Sequence, residues 1–175
     1  MNSYDKRIPG PTAQSGFTMI EVLVAALVLA IGLLGLAGLQ SASLRNNHSA
    51  YLRSQATLLA YGIADRMRAN QAQSVNGSGY KMSSYSIPAA RTACLSGGCS
   101  TADMAQNDLH DWETTLNREL PNGKGIVCID SSPNDGTTAA PACDGSGNVY
   151  AIKIWWSDDR DATLPPKLFA TAFRP

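Results

Sequence analysis

The sequence predicts an α+β fold, in which a very long N-terminal helix packs on a small antiparallel sheet and a second helix precedes the strands. Three observations point to it. Residues 22–39, VLVAALVLAIGLLGLAGL, are eighteen consecutive residues without a polar side chain. The helical pattern continues beyond them with apolar residues on one side only. The last third of the chain holds short runs of alternating apolar residues, the period of strands.

At 175 residues the chain can bury one real core and is too short to suggest two. Lys and Arg together number 14, as do Asp and Glu. No basic excess marks a nucleic-acid surface, and no nucleic-acid partner is expected.

The first element is the apolar half of the long helix. Eighteen residues suffice to cross a membrane, whereas the apolar core of a cleaved secretory signal runs to about 7–15 residues. Retention of the segment is therefore expected. Lys6 and Arg7 precede it and favour a cytoplasmic N-terminus. Glu21 stands at its start. A carboxylate in a membrane segment costs about 2.5–3.5 kcal/mol at the centre and less near an end, so Glu21 needs a partner or a wet position. One reading is an interfacial carboxylate favoured by the helix dipole, and the other is a functional group.

Gly16-Phe17-Thr18-Met19-Ile20-Glu21-Val22-Leu23-Val24-Ala25 resembles the class III signal of type IV pilins and pseudopilins. In that family a membrane-embedded aspartyl peptidase cuts after the glycine, on the cytoplasmic side, and methylates the new amine. The resemblance implies processing between Gly16 and Phe17, methylation of Phe17, and an assembly role for Glu21. It also implies four parts: a leader at 1–16, a transmembrane half-helix at 17–39, an amphipathic half at 40–71 and a periplasmic head at 72–175. Loss of residues 1–16 would remove two basic and one acidic residue and leave the rest near neutral.

In the amphipathic half, Leu52, Ala56, Leu59, Ile63 and Met67 form one stripe, and Arg45, Asn46, Asn47, Arg53, Gln55, Asp65, Arg66 and Arg68 lie between them. An unbroken helix from 17 to 71 would be on the order of 80 Å long at the α-helical rise. Asn76-Gly77-Ser78-Gly79 would end it. Gly32, Gly35 and Gly38 permit close helix approach in a membrane, each at about 1 kcal/mol of helicity. The resemblance implies close packing or local unwinding there within a filament.

A second helix is expected over 101–120. Ser100 and Asp103 form a capping pair, Ala105, Leu109, Trp112, Leu116 and Leu120 form its apolar stripe, and Pro121-Asn122-Gly123 stops it. Strands are expected at 125–130, 149–157 and 167–173. In the middle one Tyr150, Ile152, Ile154 and Trp156 alternate with Ala151, Lys153 and Trp155, which predicts one strongly buried face.

All four cysteines follow the apolar segment, which suits an oxidising compartment. Their spacing lacks the C-x-x-C pairs of zinc knuckles and thiol oxidoreductases. Three connectivities are formally open. Local pairing of Cys94 with Cys99 and Cys128 with Cys143 is favoured, because an antiparallel hairpin would bring the latter two together.

Catalytic patterns are thin. His48 and His110 read as surface residues, and Asp108 and Asp111 beside His110 suit a helix face better than a triad. No Gly-x-Ser-x-Gly, phosphate loop or His-Glu-x-x-His is present. Asp130-Ser131-Ser132-Pro133-Asn134-Asp135-Gly136 hints at a calcium loop, but its Gly comes one position late and no closing Glu follows. This segment and the Asp158, Asp159, Asp161 cluster read as solvated turns. No metal, cofactor or enzymatic activity is expected.

Asp103 to Trp112, DMAQNDLHDW, and the later IKIWWSD at 152–158 extend the resemblance over most of the chain, toward minor pilins. It implies a low-abundance subunit of the inner membrane, single-pass with its C-terminal domain in the periplasm, that joins the pilus fibre. Its implied partners are other minor pilins, the major pilin, prepilin peptidase and inner-membrane lipid, and its implied roles are pilus priming, adhesion and twitching motility. A type II secretion pseudopilin shares the N-terminal logic. A membrane-anchored periplasmic enzyme would need a catalytic constellation that the sequence lacks.

Overall fold

Helix α1 (Met19–Ala69) starts at a threonine cap and runs through both the apolar and the amphipathic stretch. The computed structural model describes residues 16–75, 78–158 and 164–175. It divides into two units between Arg45 and Asn46. In the first, every large apolar side chain from Ile20 to Leu39 is exposed, so this stretch of α1 contributes to no core.

The second unit has its own core. From α1 it takes Leu52, Ala56, Ala60, Ile63, Ala64 and Met67, spaced so that they share one face. Leu59 is half-buried, and its carbonyl accepts the Trp112 indole N–H at 3.0 Å. A single helix to residue 71 was the expectation, and the structure ends α1 at Ala69. Asn70 leaves helical geometry at φ −111° and ψ 61°, and the short α2 (Gln71–Ser74) follows. At this break the buried Asn70 side-chain amide donates to the Thr101 carbonyl at 2.7 Å, tying the end of α1 to the start of α4.

Short α3 (Ala93–Ser96) precedes α4 (Thr101–Glu119). Ser100 caps α4, its hydroxyl oxygen accepting the Asp103 N–H at 3.1 Å while its O–H donates to the Asp103 carboxylate at 2.7 Å. Ala105, Leu109, Trp112 and Leu116 are buried. The helix ends where Asn122 takes a positive φ of 52° and Gly123 folds back against Leu116.

Strands β1 (Lys124–Ile129), β2 (Tyr150–Trp156) and β3 (Lys167–Phe173) form an antiparallel sheet in the order β1-β2-β3. Ile126 faces Lys153 across the first pair, and Ile154 faces Phe169 across the second. One sheet face gives Val127, Tyr150, Ile152, Ile154 and Trp156 to the core shared with α1 and α4. The other carries Ile126, Cys128, Ala151 and Trp155, packed by Met82, Tyr85 and Cys143.

That second layer corrects the reading of β2 as a strand with one buried face: all seven of its residues are buried. Segments remote in sequence cover the far face. The Met82 N–H donates to the Val127 carbonyl at 2.8 Å, and the Tyr85 ring meets the Trp155 ring edge-on at 5.8 Å. Two further expectations change. His110 is half-buried, its Nδ1–H donating to the Pro88 carbonyl at 2.7 Å. Asp130 is buried against Lys153 and is not a solvated turn residue. Asp158 accepts the Ser49 hydroxyl at 2.6 Å, while Asp159 and Asp161 lie outside the described residues.

Candidate assembly site at the start of the long helix

Residues 16–18 precede α1 in non-helical, exposed backbone. Phe17 is 83 % exposed, and a Cβ added at Gly16 would meet no atom within 4 Å. The Gly16–Phe17 bond is thus open on all described sides and stands just before the first turn. Thr18 then caps the helix. Its Oγ1 accepts the Glu21 N–H at 3.3 Å, and its carbonyl accepts the Glu21 and Val22 N–H groups at 3.1 and 3.3 Å.

Thr18 and Glu21 have the spacing of a capping box, a signal that sequence reasoning passed over while attending to the apolar run. Glu21 therefore sits in the first turn, where the helix dipole favours its charge. It is exposed, and no basic group pairs with it among the described residues. The helix dipole accounts for an acidic residue at a helix start. It does not neutralise that residue once the neighbouring apolar surface enters lipid.

Beyond it, α1 is long and apolar enough to cross a membrane, with a mean hydropathy of 2.8 over an 18-residue window of which none is buried. Such a surface is unfavourable in water and calls for lipid or other helices. Gly32, Gly35 and Gly38 lie in unbroken helix, and a Cβ on any of them would meet nothing within 4 Å. Their side of the helix is bare.

The cysteines belong to the second unit. Cys94 and Cys99 are bonded with Cα atoms 4.8 Å apart, tying α3 to the residue before the Ser100 cap. Cys128 and Cys143 are bonded with Cα atoms 6.0 Å apart, tying β1 to the connection before β2. Both spans are ordinary for disulfides, and no described cysteine is free.

Two buried ionisable groups escaped sequence reasoning because nothing local marks them. Glu113 on α4 is 1 % exposed, and its Oε1 has no hydrogen-bond partner. Burial pushes its pKa up to about 8, although a backbone hydrogen bond from Gly125 opposes the shift. Nearby Tyr85 is raised to about 12, by burial first and by the Glu113 charge second. Lys153 is fully buried and ion-paired with Asp130 at 2.5 Å and Asp135 at 2.7 Å. Desolvation pulls its pKa down, but the hydrogen bonds and charges of the two carboxylates outweigh it and the pKa is raised. Among the described residues, no three His, Cys, Asp or Glu side chains converge as metal ligands would.

Two comparisons with known families fit this geometry. Residues 11–37 match the prokaryotic N-terminal methylation motif, a span that includes Gly16, Phe17, Thr18 and Glu21. Residues 38–110 match the family described as Type IV pilin Tt1218. No curated protein and no solved structure matches the chain.

Proposed function

We propose that this pilin-type chain, with a type IV pilin domain behind an N-terminal methylation motif, is a minor pilin that primes or joins a bacterial type IV pilus. In this reading the precursor enters the inner membrane with residues 1–16 in the cytoplasm. Prepilin peptidase cuts between Gly16 and Phe17 and methylates the Phe17 amine, and residues 17–39 hold the chain in the bilayer. Residues 40–71 and the 72–175 head then face the periplasm until the subunit joins a fibre. The sequence resembles the minor pilin PilV, the type IV pilus modification protein, and from that resemblance come the roles in twitching motility and adhesion.

The observation that supports this best is the combination at one helix start: an open Gly16–Phe17 bond, Glu21 in the first turn, and a bare apolar half-helix behind it. A membrane anchor alone needs neither the glycine nor the carboxylate. Deleting the chain should reduce surface pili and twitching while leaving release of type II secretion substrates unchanged. Lost secretion with normal pili would reassign the chain to a secretion pseudopilin, and no change in either would remove the filament role.

A further inference from the structure

The connection between β1 and β2, residues 130–149, contains the segment whose sequence hints at a calcium loop, and a cation does sit there. It is the ammonium of Lys153. Five oxygens surround Nζ: Asp130 Oδ2 at 2.5 Å, Asp135 Oδ1 at 2.7 Å, the Pro141 carbonyl at 2.9 Å, the Asp135 carbonyl at 3.2 Å and the Ala142 carbonyl at 3.4 Å. An ammonium has three protons to donate, fewer than the oxygens turned toward it. Two carboxylates and main-chain carbonyls at one point are the donor set of a hard divalent cation. Their two negative charges also exceed the single positive charge of Lys153.

The cage is buried on its Asp130 side and open to solvent at Asp135, whose side chain is 48 % exposed. Lys153 and Asp130 side chains are both 0 % exposed. The Asp130 Oδ1 is fixed by the Ser132 N–H at 3.0 Å, and Asp135 Oδ2 by the Ser132 hydroxyl at 2.8 Å. Two of the three carbonyls, those of Pro141 and Ala142, come just before Cys143, which is bonded to Cys128. Lys153 itself projects from the middle of the central strand, opposite Ile126. Its ammonium therefore gathers a long connection onto the far face of the sheet.

We propose that Lys153 is the resident cation of an oxygen cage of calcium-site type, so that the disulfide-closed connection is ordered without metal, and that removing the ammonium opens a site for a divalent cation. The inference is independent of the role in filament assembly. Its consequence is that this surface keeps its shape whatever the calcium level outside the cell.

The test uses the full chain in detergent, with hydrogen exchange of 130–144 as the readout and calcium or EDTA as the probe. Wild type should show the same protection in both. Lys153→Ala should exchange about tenfold or more faster in EDTA and regain protection in calcium, because the shortened side chain leaves room for an ion. Lys153→Met should lose protection and not regain it, since its stem still blocks the cage. Should either Lys153 variant fail to fold, the half-exposed Asp135→Asn keeps the question open to measurement. It should speed exchange in 130–144 while leaving the sheet protected. Calcium-dependent protection of the wild type, a Lys153→Ala connection that calcium does not restore, or unchanged exchange in Asp135→Asn would each overturn the proposal.

Discussion

At the scale of single residues, two carboxylates divide the chemistry of the chain. Glu21 is exposed in the first turn of α1, where the helix dipole already favours its charge. A second use follows from the proposed maturation, which would create an amine at Phe17 on each neighbouring subunit. In lipid the attraction between that amine and Glu21 is strong but opposed by desolvation, so the pair would select register more than it adds affinity. Glu21→Ala should therefore be cleaved and reach normal membrane levels, yet co-purify less with partner pilins and support fewer pili. Full assembly by an abundant, processed mutant would reduce Glu21 to a first-turn carboxylate favoured by the helix dipole. Glu113 is the buried counterpart. Its pKa is raised from 4.5 to about 8, so the folded head binds this proton more tightly than the unfolded chain does. The stabilising contribution is complete below about pH 4.5 and is lost as pH rises toward about 8, at most about 1.4 kcal/mol per pH unit. Glu113→Gln should flatten this dependence. Urea midpoints compared at about pH 5 and pH 8 should fall more for wild type than for the variant, and equal falls would show that Glu113 stays paired or solvated.

At the scale of elements, α4 and β1 are held closer than side chains normally permit. A Cβ on Gly125 would come within 2.9 Å of two Trp112 ring atoms and Leu116 Cδ1. Glycine at this strand position is therefore a packing requirement and not a turn signal. Gly125→Ala should destabilise the head by about 1–3 kcal/mol, the usual cost of overpacking, lowering the urea midpoint with little change in slope. A neutral result would mean that Trp112 swings aside freely, although its indole N–H is tied to the Leu59 carbonyl. The extents of the elements were largely legible. The α4 cap, stripe and stop all lie within the helix or next to it, and β3 runs over Lys167–Phe173 as its pattern predicts. The end of α1 was not: there the Asn70 amide meets the Thr101 carbonyl, a partner 31 residues away.

At the scale of the whole molecule, a bare apolar half-helix and a disulfide-stapled head have different solvents. The head shares a core with the amphipathic half of α1, whereas the apolar half of α1 must be matched by lipid or by other helices. The processing expected at Gly16 preserves both, since it removes only what precedes the apolar segment. Intact-mass measurement of the membrane-extracted chain should give a species that begins at Phe17 and carries one methyl group. A chain that begins at Met1, or one that has lost the apolar segment, would contradict that maturation.

The sequence by itself determined the order of the two long helices and the three strands, the apolar run, and the cap and stop of α4. Each of these is carried by neighbouring residues or by a repeat of two or of three to four positions, and such patterns are written in the chain. Only the tertiary structure decided that β2 is buried on both faces, that Glu113 is cut off from water, and that Lys153 sits inside an oxygen cage. The physical reason is that burial depends on which remote segment covers a residue. Lys153 and Asp135 are 18 positions apart, and their charges read as solvent-facing until the connection between the strands folds back over the sheet.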